Sequence, residues 1–207
     1  LQELQSRLAA FPEADGWLIY DFRGQNPHAG ALLGLGHSFL TRRFFVWLPR
    51  IGEPALIHHR IEEGSWRRLL VGQQLRWLPY SAYGELEQRL GDLLGGKKAM
   101  MEYSPRGFVP AVSAVDGGTL ELLHSVGVSV MSSADLLQTF QRWSPADVSA
   151  HERAVTALME AKDLAFAALH RALQRGEAIS EYGPQQLIEG HIAACGLRSG
   201  HPANVSF

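Results

Sequence analysis

The chain has 207 residues, 46% of them hydrophobic and 19% charged, with a formal net charge of −2. That length holds one large domain or two small ones, each able to bury a core. The balance excludes the basic excess of a nucleic-acid surface, and the apolar runs are far too short to span a membrane. Leu1 to Gln5 shows no positive region followed by an apolar one, so no secretory signal is read there. Cys195 is the one cysteine, which rules out an intrachain disulfide and fits a reducing compartment; a cytoplasmic location is expected.

Leu1, Leu4 and Leu8 recur at helical spacing, and Pro12 closes that helix. Gly16 to Tyr20 reads as a strand, Asp21 to Pro27 as a polar loop, and His28 to Leu35 as a short helix. Phe44 to Leu48 and Ala55 to His59 are apolar runs around Pro49-Arg50-Ile51-Gly52-Glu53-Pro54, the pattern of an antiparallel β-hairpin. Helix is expected over Ser65–Val71, strand over Gln74–Tyr80, and an amphipathic helix over Glu85–Leu94 ended by Gly95-Gly96. Lys98–Glu102 and Val128–Met131 read as strands, Thr119–Ser125 as a helix, and Ser133 as the cap of a helix running to Phe140. Strands alternating with helices predict a layered α/β domain.

A boundary falls near Arg142-Trp143-Ser144-Pro145. Ser144 is the N-cap candidate, Pro145 suits the first helical position, and Asp147 sits in the acidic first turn. One long helix is expected to Gln174, with Val148, Val155, Leu158, Ala165, Leu169 and Leu173 on its apolar face. Gly176 stops it. A second helix is expected from Ser180 to Cys195, and Ala203 to Phe207 reads as the start of a strand.

The blocks Asp15–Tyr20, Thr41–Phe45 with Gly52-Glu53-Pro54, Met101–Pro105, Val115–Leu122 and Ser132–Leu136 occur in an order and spacing that resembles the pita-bread metallopeptidases: creatinase, Xaa-Pro dipeptidase (prolidase) and aminopeptidase P. The similarity leans toward a bacterial Xaa-Pro peptidase branch. It implies a creatinase-like N-terminal domain with a mixed sheet flanked by helices over residues 1–141, and the first helices of an incomplete pita-bread domain over 145–207. The function implied is that of the N-terminal part of a metal-dependent peptidase cleaving Xaa-Pro bonds in proline-containing peptides, a homodimer whose N-terminal domain serves dimerisation and borders the active site. Two alternatives stay open: a non-catalytic dimerisation or binding module, and creatinase-like amidinohydrolase chemistry.

In the resembled family, two Asp, one His and two Glu hold a dinuclear metal centre. Mn, Co or Zn is expected in the full-length protein. No position here matches those ligands, so the chain is expected to bind no such metal, to contain no catalytic residue and to be inactive alone. His201 precedes the strand that the family's substrate-binding His follows and is not given that role. The relatives more often carry Asn-x-x-Tyr-Leu-Thr-Gly where this chain has Ala31-Leu32-Leu33-Gly34-Leu35-Gly36.

His58 and His59 are adjacent on a strand and face opposite ways, one packed and one solvated. His191 and Cys195 share a helical face, but a Cys–His nucleophile needs a cleft and an orienting group, so a buried, inert Cys is expected. Arg42 and Arg43 also face opposite ways. Salt bridges on a solvated face are one reading; the other is bidentate recognition of a peptide carboxylate, with His37 and His59 beside the same hairpin. His37, Arg42, Arg43 and His59 are therefore the candidate substrate-binding residues. Leu158, Ala165, Leu169, Leu187 and Ile188 are expected to stay partly exposed on two helices alone.

Overall fold

Near-continuous apolar runs, buried on both faces, set the first unit of the structure. The computed structural model describes residues 1–36 and 38–206; His37 and Phe207 lie outside the described residues. It divides into two compact units, Leu1–Gln141 and Arg142–Phe207.

In the first unit, strands β1 (Gly16–Asp21), β2 (Phe44–Pro49), β3 (Ala55–His59), β4 (Arg76–Tyr80), β5 (Lys98–Met101) and β6 (Ser129–Ser132) form one sheet in the order β4-β3-β2-β1-β5-β6. β2 pairs antiparallel with β1 and β3, and the other pairings are parallel. The expected hairpin is present, with Phe45 opposite Ile57, Val46 opposite Leu56 and Trp47 opposite Ala55. Its turn carries Gly52 at φ 119°, a conformation that favours glycine. Gln5 holds the turn from outside, donating to the carbonyls of Pro49 and Gly52. Pro79 sits on β4, at the sheet's edge, where its missing N–H leaves no ladder position empty.

Both faces of the sheet are covered, so its central strands are buried throughout. One face packs Trp17, Ile19, Phe44, Val46, Leu48 and Leu56 against α1 (Gln2–Ser6), α2 (Pro27–Leu32), α3 (Glu63–Leu69) and α6 (Ala134–Gln138). The other packs Leu18, Tyr20, Phe45, Trp47 and Ile57 against α4 (Tyr83–Leu94) and α5 (Gly117–Ser125). This is the α/β domain with a mixed sheet flanked by helices that the sequence predicts.

In the second unit, α7 (Pro145–Arg175) begins at a capping box in which Ser144 and Asp147 satisfy each other's backbone N–H groups, and it ends at Gly176 in the left-handed conformation. It packs with α8 (Tyr182–Ala194). Of the expected apolar face of α7 only Ala165 is buried, while Val148 and Val155 are exposed. Ala157, Ala161 and Ala165 are buried, whereas Leu158, Phe166 and Leu173 are 55%, 64% and 66% exposed. Small side chains four apart let two helix backbones approach closely, and the larger ones are displaced to the flanks. Ala165 is thus buried rather than partly exposed, Leu158 and Leu187 are exposed, and Leu169 and Ile188 are half-buried. Phe166, Leu169, Leu173, Ile188 and Val205 line an apolar groove of about 780 Å³.

The strand expected from Ala203 does not form over residues 203–206, and Phe207 lies outside the described residues. A strand needs a ladder partner, and here side chains of α8 take its backbone groups. The Ala203 N–H donates to Glu189 Oε1 at 2.6 Å, and its carbonyl accepts from Gln185 Nε2 at 2.8 Å. Among the described residues no helix is long and apolar enough to cross a membrane.

Candidate substrate-binding site at the carboxyl edge of the sheet

Because β2 alone runs against the others, one edge of the sheet gathers the carboxyl ends of β1, β3, β4, β5 and β6 with the start of β2. Side chains at such an edge are held by the sheet yet open outward, which is where α/β folds place ligands.

The floor of this edge is a buried polar network. Asp21 closes β1 by accepting from the backbone N–H of Gly24 and of Asn26, at 2.8 and 2.7 Å. Asn26 then caps α2, its Oδ1 accepting from His28 and Ala29, while its Nδ2 donates to the Tyr20 carbonyl and to Glu102 Oε2. Glu102, fully buried after β5, also accepts from Trp17 Nε1 at 2.6 Å and Ser133 Oγ at 3.1 Å. Burial pushes its carboxyl above the usual range, against the pull of the Trp17, Asn26 and Ser133 hydrogen bonds. Ser133 is the N-cap of α6, as the sequence predicts, but its side chain makes no capping hydrogen bond because its hydroxyl is committed to Glu102.

Above this floor lie the charged residues of the hairpin. Glu62, also buried, accepts on one oxygen from the Thr41 N–H, the Thr41 hydroxyl and the Arg42 N–H, at 2.6, 3.0 and 3.1 Å. This fixes the entry to β2. Tyr80, ending β4, donates to the Arg43 carbonyl at 2.7 Å. Burial, reinforced by the Glu62 charge, raises its phenol to about 12. Tyr20 donates to Asp116 Oδ2 at 2.9 Å, and Asp116 caps α5 by accepting from the Thr119 N–H and hydroxyl. Burial works to raise Asp116, but the Thr119 and Tyr20 hydrogen bonds and the Arg43 charge hold it below the usual carboxylate range. Burial raises Tyr20, and its bond to anionic Asp116 adds to that.

The candidate residues occupy three different situations. His59 is satisfied by its own chain: Nδ1 accepts from the Ile61 N–H, which leaves Nε2 to donate to the Ser81 carbonyl, and the ring meets Tyr80 edge-on at 5.2 Å. Arg42 is exposed and donates to Thr41 Oγ1. Arg43 is half-buried, its guanidinium 5.6 Å from the centre of the Phe22 ring, and its buried Nε has no hydrogen-bond partner among the described residues. Neither arginine is within ion-pair distance of a carboxylate among the described residues, although the Arg43 charge acts on Asp116. His37 lies outside the described residues. Arg43, beside Phe22, Tyr20 and Asp116, is thus a half-buried cation of this edge whose Nε is left unpaired among the described residues. The chemistry it offers is recognition of an anion, with Asp116 beside it to address a cationic group. His58 is buried on the neighbouring register position and donates from Nδ1 to the His59 carbonyl.

Sequence reasoning missed Tyr20, Glu62, Tyr80, Glu102 and Asp116. One signal was present for Glu102, an acid directly following Ala99-Met100-Met101, where burial on both faces demands a partner.

Two solved dipeptidases share this fold. Dipeptidase PepE from Mycobacterium ulcerans matches with a TM-score of 0.54 at 17% identity, over 94% of this chain and 49% of that one. A proline dipeptidase from Streptococcus pneumoniae matches with a TM-score of 0.50 at 13% identity, over 68% of this chain and 95% of that one. The chain has the fold of these two dipeptidases. A creatinase/prolidase N-terminal domain of an X-Pro dipeptidase from Streptococcus pyogenes is also similar, with a TM-score of 0.49 at 13% identity, over 67% of this chain and 98% of that domain. No family model and no curated protein matches the chain. The chain spans about half the length of the M. ulcerans enzyme.

A dinuclear centre of two Asp, one His and two Glu does not fit the residues present. Among the described residues the one cluster of three side chains able to ligate a metal is Glu160, His191 and Cys195, with a single carboxylate and a thiol. That exposed cysteine also corrects the expectation of a buried, inert one: Cys195 caps the end of α8, where the helix turns into solvent.

Proposed function

We propose that this chain is the N-terminal part of a metal-dependent peptidase that cleaves Xaa-Pro bonds, of dipeptidase or aminopeptidase P type, acting in the cytoplasm. Residues 1–141 form its creatinase-like domain and residues 145–207 open the catalytic domain, whose remaining chain would supply the ligands of two divalent ions. The first domain serves dimerisation and borders the active site, where Arg43 receives the carboxylate of a proline-containing peptide. The observation that carries this reading is Arg43 itself: a half-buried guanidinium at the carboxyl edge of the sheet, seated on Phe22, with a buried donor and no ion pair among the described residues. The shared fold with two dipeptidases supports it. So do the exposed Leu158, Phe166 and Leu173 of α7, apolar surface that further chain or a second subunit covers.

The test uses the longer protein proposed to contain this chain. Arg43→Ala is expected to raise KM for Xaa-Pro dipeptides on the order of 10-fold or more, the loss of a hydrogen-bonded charge, with kcat far less affected. Arg43→Lys, which keeps charge but not the planar fork, is expected to recover only part. Unchanged KM in both variants would remove Arg43 from the site.

A further inference from the structure

Within the second unit, three side chains of different chemistry converge on one point. Glu160 lies on α7, and His191 and Cys195 lie one turn apart on α8. Glu160 Oε2 is 3.1 Å from His191 Nε2, Cys195 Sγ is 3.6 Å from the same nitrogen, and all three ligand atoms lie within 4.8 Å of one another. Cys195 and Glu160 are exposed and His191 is half-buried, so solvent ions reach them.

A hydrolytic Cys–His–acid relay does not fit this geometry. Such a relay sets the sulfur on one ring nitrogen and the carboxylate on the other, so that one proton is passed while the ring is oriented. Here sulfur and carboxylate both address Nε2, and a single ring N–H does not serve two acceptors in that way. Convergence of lone pairs from sulfur, nitrogen and oxygen is instead the arrangement of metal ligands. In a tetrahedral zinc site, with metal–ligand distances of about 2.3 Å to sulfur and 2.0–2.2 Å to nitrogen and oxygen, the edges are about 3.3 Å between nitrogen and oxygen and about 3.6 Å between nitrogen and sulfur. The observed 3.1 and 3.6 Å need only a small adjustment, and the exposed Glu160 and Cys195 side chains, whose ligand atoms lie within 4.8 Å, turn to complete the third edge.

We propose that Glu160, His191 and Cys195 form a zinc site with three protein ligands and a fourth position open to water. The thiolate selects a borderline or soft ion over Mg²⁺, Ca²⁺ or Mn²⁺. The ligands bridge α7 and α8, so the ion adds a cross-link to two helices that pack through Ala157, Ala161 and Ala165 and carry the His191–Glu160 pair.

Co²⁺ and Zn²⁺ alone are the probes, on the 207-residue chain. One equivalent of Co²⁺ is expected to give a thiolate-to-cobalt charge-transfer absorption with the intense visible bands of four-coordinate Co²⁺, and one equivalent of Zn²⁺ to displace it. Cys195→Ser, one atom different at an exposed position, should abolish the charge-transfer band. His191→Ala and Glu160→Gln should each weaken Zn²⁺ binding on the order of 10-fold or more, since losing even an outer partner of a metal ligand costs that much. Absence of the band in the parent, its survival in Cys195→Ser, or unaltered Zn²⁺ affinity in both other variants would overturn the proposal.

Discussion

Replacing Glu102 by glutamine keeps the shape of the side chain and alters only which atoms donate. In the parent, three donors from Trp17, Asn26 and Ser133 meet two carboxylate oxygens. A glutamine sets its –NH₂ against Asn26 Nδ2 in one orientation and against Trp17 Nε1 in the other. Asn26 does not turn to relieve this, because its Oδ1 holds the N–H groups of His28 and Ala29. A protonated carboxyl escapes the conflict: its hydroxyl donates to Ser133 and its oxygen still accepts from Trp17. With each orphaned buried donor costing about 1–3 kcal/mol, Glu102→Gln should destabilise the chain by that order in mild acid. The sign with pH follows from the raised carboxyl. The folded state holds the Glu102 proton above pH 4.5, where the unfolded state has lost it, so parent stability falls as pH rises through the raised value. The variant lacks that fall. Urea unfolding followed by tryptophan fluorescence, from pH 4.5 to 8, should therefore show a stability gap that narrows with rising pH. Equal stability throughout, or a gap that widens with pH, would refute the donor geometry.

His58 is the opposite case: burial lowers it from 6.5, and its buried Nε2 has no partner among the described residues. The unfolded state takes up a proton below about pH 6.5 before the folded state does, so stability should drop as pH falls through that window. His58→Phe should flatten the drop in the same unfolding series; an unchanged slope would contradict it. Gly16→Ala inserts a Cβ against the Leu48 carbonyl, Trp47 Cη2 at 2.6 Å and Pro49 Cα at 2.8 Å, mostly backbone that does not yield. Its cost should be about 1–3 kcal/mol, and an unchanged melting temperature would show that β1 and β2 shift freely. Ser144→Ala removes the capping box of α7 and should cost about 1 kcal/mol of helix stability, read as faster amide exchange over the first turn of α7; unaltered exchange there would mean that the box contributes nothing.

The hairpin was legible because each apolar run is bounded by turn formers and packs locally, so neighbours in sequence decide it. The same held for α7 at its ends, where Ser144, Pro145, Asp147 and Gly176 act within one turn. Its buried face is legible only at Ala165: residue size points to Leu158 and Leu173, whereas close approach to α8 also selects Ala157 and Ala161. The polar floor was hidden for a different reason. Glu102 meets Trp17 and Asn26 across separations of 85 and 76 residues, and only the strand order brings them together. Arg43 was named from charge at a strand end, but its distinction from Arg42 and His59 rests on which hydrogen bonds the fold leaves unmade.

The proposed function is tested most directly by turnover. Xaa-Pro dipeptides and longer Xaa-Pro peptides would be offered, with Mn²⁺, Co²⁺ or Zn²⁺, to the 207-residue chain and to the longer protein proposed to contain it. Hydrolysis is expected from the longer protein alone, rising with metal and abolished by chelation. Chelator-sensitive hydrolysis by the 207-residue chain, or none from the longer protein with any of the three ions, would contradict the assignment.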